Sequence, residues 1–359
     1  MSDAESSQLL LILDKLAGHF SDPYILPLEG LDRGSHHRTY VVTFASGVKR
    51  VVRISDPFFR QFGSGIVPPP KMRSEIATIK YLREHTKIPV PDVVYYDDDK
   101  DGSIGAEWMA MEYVEGNRLL GIWADLSPEQ RTAAAVSIAD VERQLLSLRF
   151  DSIGSLYDGG RVGPMTFLPS NNSGDTAPPD ETKCGPFASI QEWLVAVALG
   201  ELEYKTSLAT TAEKEAHRAA TVRSLRSTTV FDDPAVQDLC AVALHHIDLT
   251  PGNIIVDPRD PARIVGVIDW EGAKTVPLFA IRPRWYSRLK TLRLAGEEEV
   301  RALQVRTREA IREGVPEWYD ATDERGRGLR EVLRLAETST WDPAEVQFEA
   351  VDRDVRGLS

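Results

Sequence analysis

At 359 residues the chain is long enough for two lobes, each burying its own core, and 42% hydrophobic with 27% charged residues is an ordinary globular balance. A formal charge of −13, from 55 acidic against 42 basic residues, argues against a nucleic-acid backbone or an anionic membrane as main partner. Two cysteines, Cys184 and Cys240, leave no disulfide framework and no zinc-ligand cluster; they read as thiols in a reducing compartment.

Residues 6–20 carry apolar positions at helical spacing and predict an opening helix. Its run Leu9–Leu13 is too short for a signal-peptide core and follows Asp3 and Glu5, so the cytoplasm is the expected location. The β-rich runs 39–44 and 50–54, parted by Ala45-Ser46-Gly47-Val48, predict a hairpin. Residues 71–84 predict a helix with Ile76, Ile79 and Leu82 on one face and Glu75 in its first turn. Residues 88–94 predict a strand entry, and 108–116 a strand in which Met109 and Met111 alternate toward the core.

Ser127-Pro128 starts a long helix running to about Leu148, with Ala133, Val136, Ile138, Val141, Leu145 and Leu148 as its apolar positions. Residues 151–186 are rich in Gly, Pro, Ser and Asn and predict a loop-rich insert, either acceptor-facing or a surface insertion. Two further helices are expected over 188–205 and 209–228, and helical structure from Trp285 to about Ala336. Within the latter, Glu297-Glu298-Glu299 reads as a solvated face.

Between these lie His246-Ile247-Asp248-Leu249-Thr250-Pro251-Gly252-Asn253 and Val265-Gly266-Val267-Ile268-Asp269-Trp270-Glu271. An aspartate, an asparagine five positions on, and a second aspartate after an apolar run form a compact set of oxygen ligands. Phosphoryl transfer needs one carboxylate to orient an attacking hydroxyl and hard oxygen donors to hold Mg²⁺ on the phosphates. Asp248 suits the first task; Asn253 and Asp269 suit the second. A lone Asp-x-x-x-x-Asn would read as a turn between strands, but the two-part pattern points to a kinase-like site.

The passage resembles the aminoglycoside phosphotransferase and choline kinase-like family, with Ile247 in place of that family's glycine and Thr250 in place of its second histidine. The resemblance implies an α+β, bilobal protein-kinase-like fold. It has a β-rich nucleotide-binding lobe over residues 1–115 and a mainly helical catalytic and acceptor lobe over 116–359. It implies ATP and Mg²⁺ as cofactors, and a small molecule with a hydroxyl as acceptor. Gly34 and Ser35 would lie in the loop over the phosphates, and the backbone around Glu112 to Val114 would meet the adenine edge. Arg53 stands where kinases carry a phosphate-contacting lysine, with Glu75 as its partner; a solvent-facing arginine, or Lys49 in its stead, are the competing readings. His246 would support the catalytic loop, while His36 and His37 read as loop residues.

The function expected on these grounds is ATP-dependent transfer of the γ-phosphoryl group to a small-molecule hydroxyl. The alternative is a non-catalytic kinase-like protein that senses a nucleotide or metabolite. Protein kinase activity is disfavoured because no Asp-Phe-Gly to Ala-Pro-Glu activation segment is present.

Overall fold

The computed structural model describes residues 3–33, 37–55, 71–99, 101–166, 176–177, 179–203, 205–206, 211–283 and 285–340. The N-terminal region is built from α1 (Asp3–Phe20), β1 (Glu29–Arg33), β2 (His37–Thr43), β3 (Lys49–Ser55), α2 (Lys71–His85), β4 (Val93–Asp97) and β5 (Trp108–Glu112). The strands form one antiparallel sheet in the order β1-β2-β3-β5-β4. The turn between β2 and β3 places Gly47 at φ +86°, a conformation that favours glycine.

Strand alternation decides what each face of this sheet does. Val52, Ile54, Trp108 and Ala110 point to one face, where Leu9, Ile12, Leu13 and Leu16 of α1 cover them at helical spacing. Val51, Met109 and Met111 point the other way, into the core shared with α2. Arg53 shares the parity of Val51 and pairs across the sheet with Met109, so it looks toward α2 rather than solvent. On α2, Glu75 is buried and lies beyond the first turn, beside Met72, Ile76 and Ile79. Its position therefore reflects a partner inside the protein, not the helix dipole. Leu31 to Arg33 end β1, and His37, expected in a loop, opens β2.

The C-terminal region opens with β6 (Asn117–Arg118), α3 (Leu119–Ile122) and α4 (Pro128–Ser147). It continues through β7 (Ser155–Tyr157), β8 (Arg161–Gly163), β9 (Thr176–Ala177), α5 (Ile190–Ala198), β10 (Lys205–Thr206) and α6 (Ala212–Ser227). Then follow β11 (Val242–His245), β12 (Ile254–Asp257), β13 (Asp260–Val267), β14 (Lys274–Pro277), α7 (Trp285–Thr291), α8 (Glu297–Arg312), α9 (Pro316–Ala321) and α10 (Arg327–Glu337). The α+β arrangement is as expected, with a sheet in the N-terminal region and helices dominating the C-terminal one. Among the described residues no helix is long and apolar enough to cross a membrane.

Ser127 caps α4 in a capping box with Gln130, as its sequence predicts. Of the expected apolar positions Ile138, Val141 and Leu145 are buried, while Ala133 and Val136 are exposed. Val136 is 44% exposed, whereas Ala134, Ala135, Ile138, Ala139, Val141, Glu142, Leu145 and Leu146 are buried. Close packing selects the small alanines, a preference that hydrophobicity alone does not reveal. On α8, Glu299 accepts a hydrogen bond from Arg131 at 2.9 Å, tying that helix to α4 instead of lying wholly in solvent.

The first half of the expected insert is core structure. Ile153 bridges Phe187, Gly154 bridges Thr275, and β7 pairs with β8. Residues 167–175, which hold most of its polar run, lie outside the described residues. Gly154 is joined to Thr275 by four hydrogen bonds, and a Cβ there would stand 2.1 Å from the Gly163 carbonyl oxygen. Gly154→Ala should therefore destabilise the protein by about 1–3 kcal/mol or more. A urea midpoint unchanged from wild type would contradict this reading of the segment.

Candidate active site

Two antiparallel ladders bring the motif's halves together. β11 pairs with β14, and β12 with β13, so residues 246–253 and 268–273 emerge side by side at the same strand ends. Ile268 N–H donates to Asn253 O at 3.0 Å, joining the two connections directly. Trp270 is fully buried and donates its Nε1–H to Val267 O, anchoring the second connection.

His246 is buried against Trp270, with ring centroids 4.5 Å apart. Its Nε2 lies 3.1 Å from Ile268 O, and its Nδ1 accepts the Asp248 backbone N–H at 3.2 Å. Both contacts are satisfied by a neutral imidazole protonated on Nε2. Burial also pushes its pKa down, against the pull of Ile268 O and nearby carboxylates. The ring is a strut between the two connections, the supporting role its sequence position implies.

Asp248 is exposed, and Asn253 Nδ2 donates both to its Oδ2 at 3.0 Å and to its backbone oxygen at 2.9 Å. That leaves the Asn253 amide oxygen as a hard donor. Partial desolvation raises the pKa of Asp248, while His246 and the Asn253 hydrogen bond lower it. Asp269 sits at φ +68°, an uncommon conformation for a non-glycine residue and one found at functional sites. Asn253 and Asp269 thus offer the oxygen-only donor set that Mg²⁺ takes.

Arg53 is the hub of a buried charge cluster. Nη1 donates to Glu75 Oε1 at 2.5 Å; Nη2 donates to Asp269 Oδ1 at 3.0 Å and lies 3.0 Å from His37 Nδ1. Glu271 Oε2 is 3.9 Å from Nη2 and forms an ion pair with Lys71. Burial alone would lower the Arg53 pKa, but Glu75, Asp269 and Glu271 outweigh it and raise it. For Glu75, burial raises the pKa and Arg53 opposes the rise. The short charge-assisted contact is that of an ion pair. His37, Glu75 and Glu271 bring three candidate metal-ligand atoms within 4.8 Å, but Arg53 and Lys71 already bond to this group.

The predicted Arg53–Glu75 pair is therefore formed, and it reaches the motif through Asp269. Three members escaped the sequence reading: His37, taken for a loop residue, Lys71 and Glu271. Lys71 could have been found, since it lies four residues before Glu75 and so on the same helical face. Lys49 stands 5.3 Å from the Tyr113 ring centroid, at the opposite end of β3 from Ser55 and four residues before Arg53. The Glu112 backbone N–H donates to Asp92 O and its carboxylate accepts from Asp92 N–H, both at 2.9 Å, which ties the end of β5 to the segment before β4. Val114 packs toward Gly266, whose Cβ would stand 3.0 Å from Val114 Cγ1. Gly34 and Ser35, with His36, lie outside the described residues.

The family model described as "Phosphotransferase enzyme family" matches residues 27–280. A subtelomeric hrmA-associated cluster protein of Aspergillus fumigatus is 25% identical over 310 residues, covering 71% of this chain and 59% of that protein. "Altered inheritance of mitochondria protein 9, mitochondrial" of Meyerozyma guilliermondii is 31% identical over 148 residues, 41% of this chain and 24% of that protein. The chain thus spans between a quarter and three-fifths of the length of these relatives. Among solved structures, aminoglycoside phosphotransferase APH(4)-Ia is 14% identical with a TM-score of 0.49, covering 95% of this chain and 98% of that one. Macrolide 2'-phosphotransferase type I is 14% identical with a TM-score of 0.45, at the same coverage.

Proposed function

We propose, from the premise that this chain belongs to the phosphotransferase enzyme family, that it moves the γ-phosphoryl group of ATP to a hydroxyl of a small molecule. The observation that carries this reading is the Asp248–Asn253 pair, locked by His246 and Ile268 beside Asp269. Asp248 accepts the hydrogen bond of the acceptor hydroxyl and aligns it for in-line attack. The new bond forms between the hydroxyl oxygen and the γ-phosphorus. The β–γ bridging P–O bond breaks, ADP leaves, and the hydroxyl proton passes to the Asp248 carboxylate. Its exposed position and Asn253 contact suit a group that must both reach substrate and hold one orientation.

Asn253 and Asp269 would hold Mg²⁺, which when bound neutralises charge on the phosphates. Arg53, steadied by Glu75, and Lys71, steadied by Glu271, provide two positive charges for the α- and β-phosphates. Gly34 and Ser35 would cover the phosphates, and the backbone near Val114 would meet the base. The two cysteines are free among the described residues, which fits the reducing setting of the cytoplasm.

A second reading, a nucleotide- or metabolite-binding protein without transfer, draws on one observation. Arg53 is already engaged by Glu75, Asp269 and His37, leaving its guanidinium less free for phosphate. Calorimetry tests the shared premise. ATP should bind at least about tenfold more tightly with Mg²⁺ than with EDTA, an effect that Asp269→Asn removes. Absence of Mg²⁺-dependent nucleotide binding would refute the enzyme reading.

A further inference from the structure

Arg53 is bonded to a residue that the proposed chemistry assigns to the metal. Its Nη2 donates to Asp269 Oδ1 at 3.0 Å, so a guanidinium already neutralises the carboxylate meant for Mg²⁺. The contacts of this cluster are not equally enclosed. The side chains of Glu75, Lys71 and Glu271 are 1–5% exposed and that of Arg53 11%, whereas that of Asp269 is 32% exposed. Of the carboxylate pairs that Arg53 and Lys71 make among the described residues, only Arg53–Asp269 has an end open to solvent. Glu75 Oε1 holds Nη1, while Glu75 Oε2 has no hydrogen-bond partner among the described residues. Arg53 can therefore keep Glu75, with an acceptor in reserve, while letting go of Asp269.

We infer that Arg53 is the built-in counter-ion of Asp269, and that it makes the site selective for a nucleotide-borne divalent cation over the bare ion. This rests on the phosphotransferase reading and deepens it. In the nucleotide-free protein Arg53 neutralises Asp269. A bare cation gains that carboxylate only by leaving the guanidinium beside it, like charge against like, where burial strengthens the repulsion. Phosphates change the balance. They give Arg53 an anionic partner as Asp269 turns to the cation, so each charge keeps an opposite neighbour. Arginine suits this exchange better than the lysine that kinases carry at this position. Its planar fork has two Nη groups, so one holds Glu75 while the other trades partners.

The test uses Mn²⁺ without nucleotide, its binding followed by electron paramagnetic resonance. The double variant Arg53→Met with Glu75→Leu removes one charge of each sign, so the net charge around Asp269 is unchanged and only the contact is lost. It should bind Mn²⁺ about tenfold or more tightly than the wild type, the factor expected when a charge-assisted hydrogen bond no longer competes. Adding Asp269→Asn to the double variant should remove the gain. Equal Mn²⁺ affinity in wild type and double variant, or a gain that survives Asp269→Asn, would overturn the inference. Should the double variant not fold, the wild type supplies the test through the NMR signal of the Arg53 guanidinium. MgADP should shift that signal and Mg²⁺ alone at the same concentration should not; a shift with Mg²⁺ alone would overturn the inference. Neither measurement involves transfer. The Mn²⁺ gain in a protein that transfers nothing would refute only the phosphotransferase reading, and transfer without the gain would refute only the counter-ion assignment.

Discussion

Asp248→Asn should cut turnover by about 10²–10⁴-fold while leaving MgATP affinity within about threefold of wild type. The substitution keeps the size of the side chain and can still contact Asn253, so the loop geometry survives. What it removes is the carboxylate proposed to accept the acceptor's proton. His246 remains wedged between Ile268 O and the position-248 N–H, so the loop keeps its support. An equal loss of turnover and MgATP affinity would show that Asp248 instead holds the nucleotide.

Arg53→Ala should destabilise the fold by about 3–5 kcal/mol, because it strands Glu75 as an uncompensated buried charge. The double variant Arg53→Met with Glu75→Leu should recover most of that loss, since apolar pairs of similar volume replace buried ion pairs well. Asp269 is half-buried and can turn to solvent, while Glu271 keeps Lys71. Nucleotide affinity should not recover, because the positive charge proposed to face the phosphates is still missing. Urea denaturation and ADP calorimetry on the three proteins separate the two effects. Recovery of both stability and affinity in the double variant would place the phosphate contact elsewhere, with Lys71 the first residue to examine.

The sequence revealed the parts of the site that are local. Asp248 and Asn253 sit on one turn, and Asp269 follows one β-hairpin later, so their spacing survives as geometry. Strand alternation likewise separates Arg53 from Val52 and Ile54, and helical periodicity finds the buried face of α2. The charge cluster was less legible because it is assembled from β2, β3, α2 and the connection after β13. No pattern within any one of these announces that His37 and Glu271 converge on Arg53. Glu142 was hidden for a related reason. A glutamate in an amphipathic helix reads as solvent-facing, and the buried stripe of α4 was legible at Ile138, Val141 and Leu145 but not at Ala134, Ala135 and Ala139, because alanines carry little hydrophobic signal.

The central claim is most directly tested by incubating the protein with [γ-³²P]ATP, Mg²⁺ and a small-molecule metabolite extract, then resolving the labelled products. The wild type should move label into an acid-stable phosphomonoester below about 1 kDa, and Asp248→Asn should leave the label in ATP and slowly released phosphate. Equal labelling by both proteins, or label released only as inorganic phosphate by the wild type, would contradict the account.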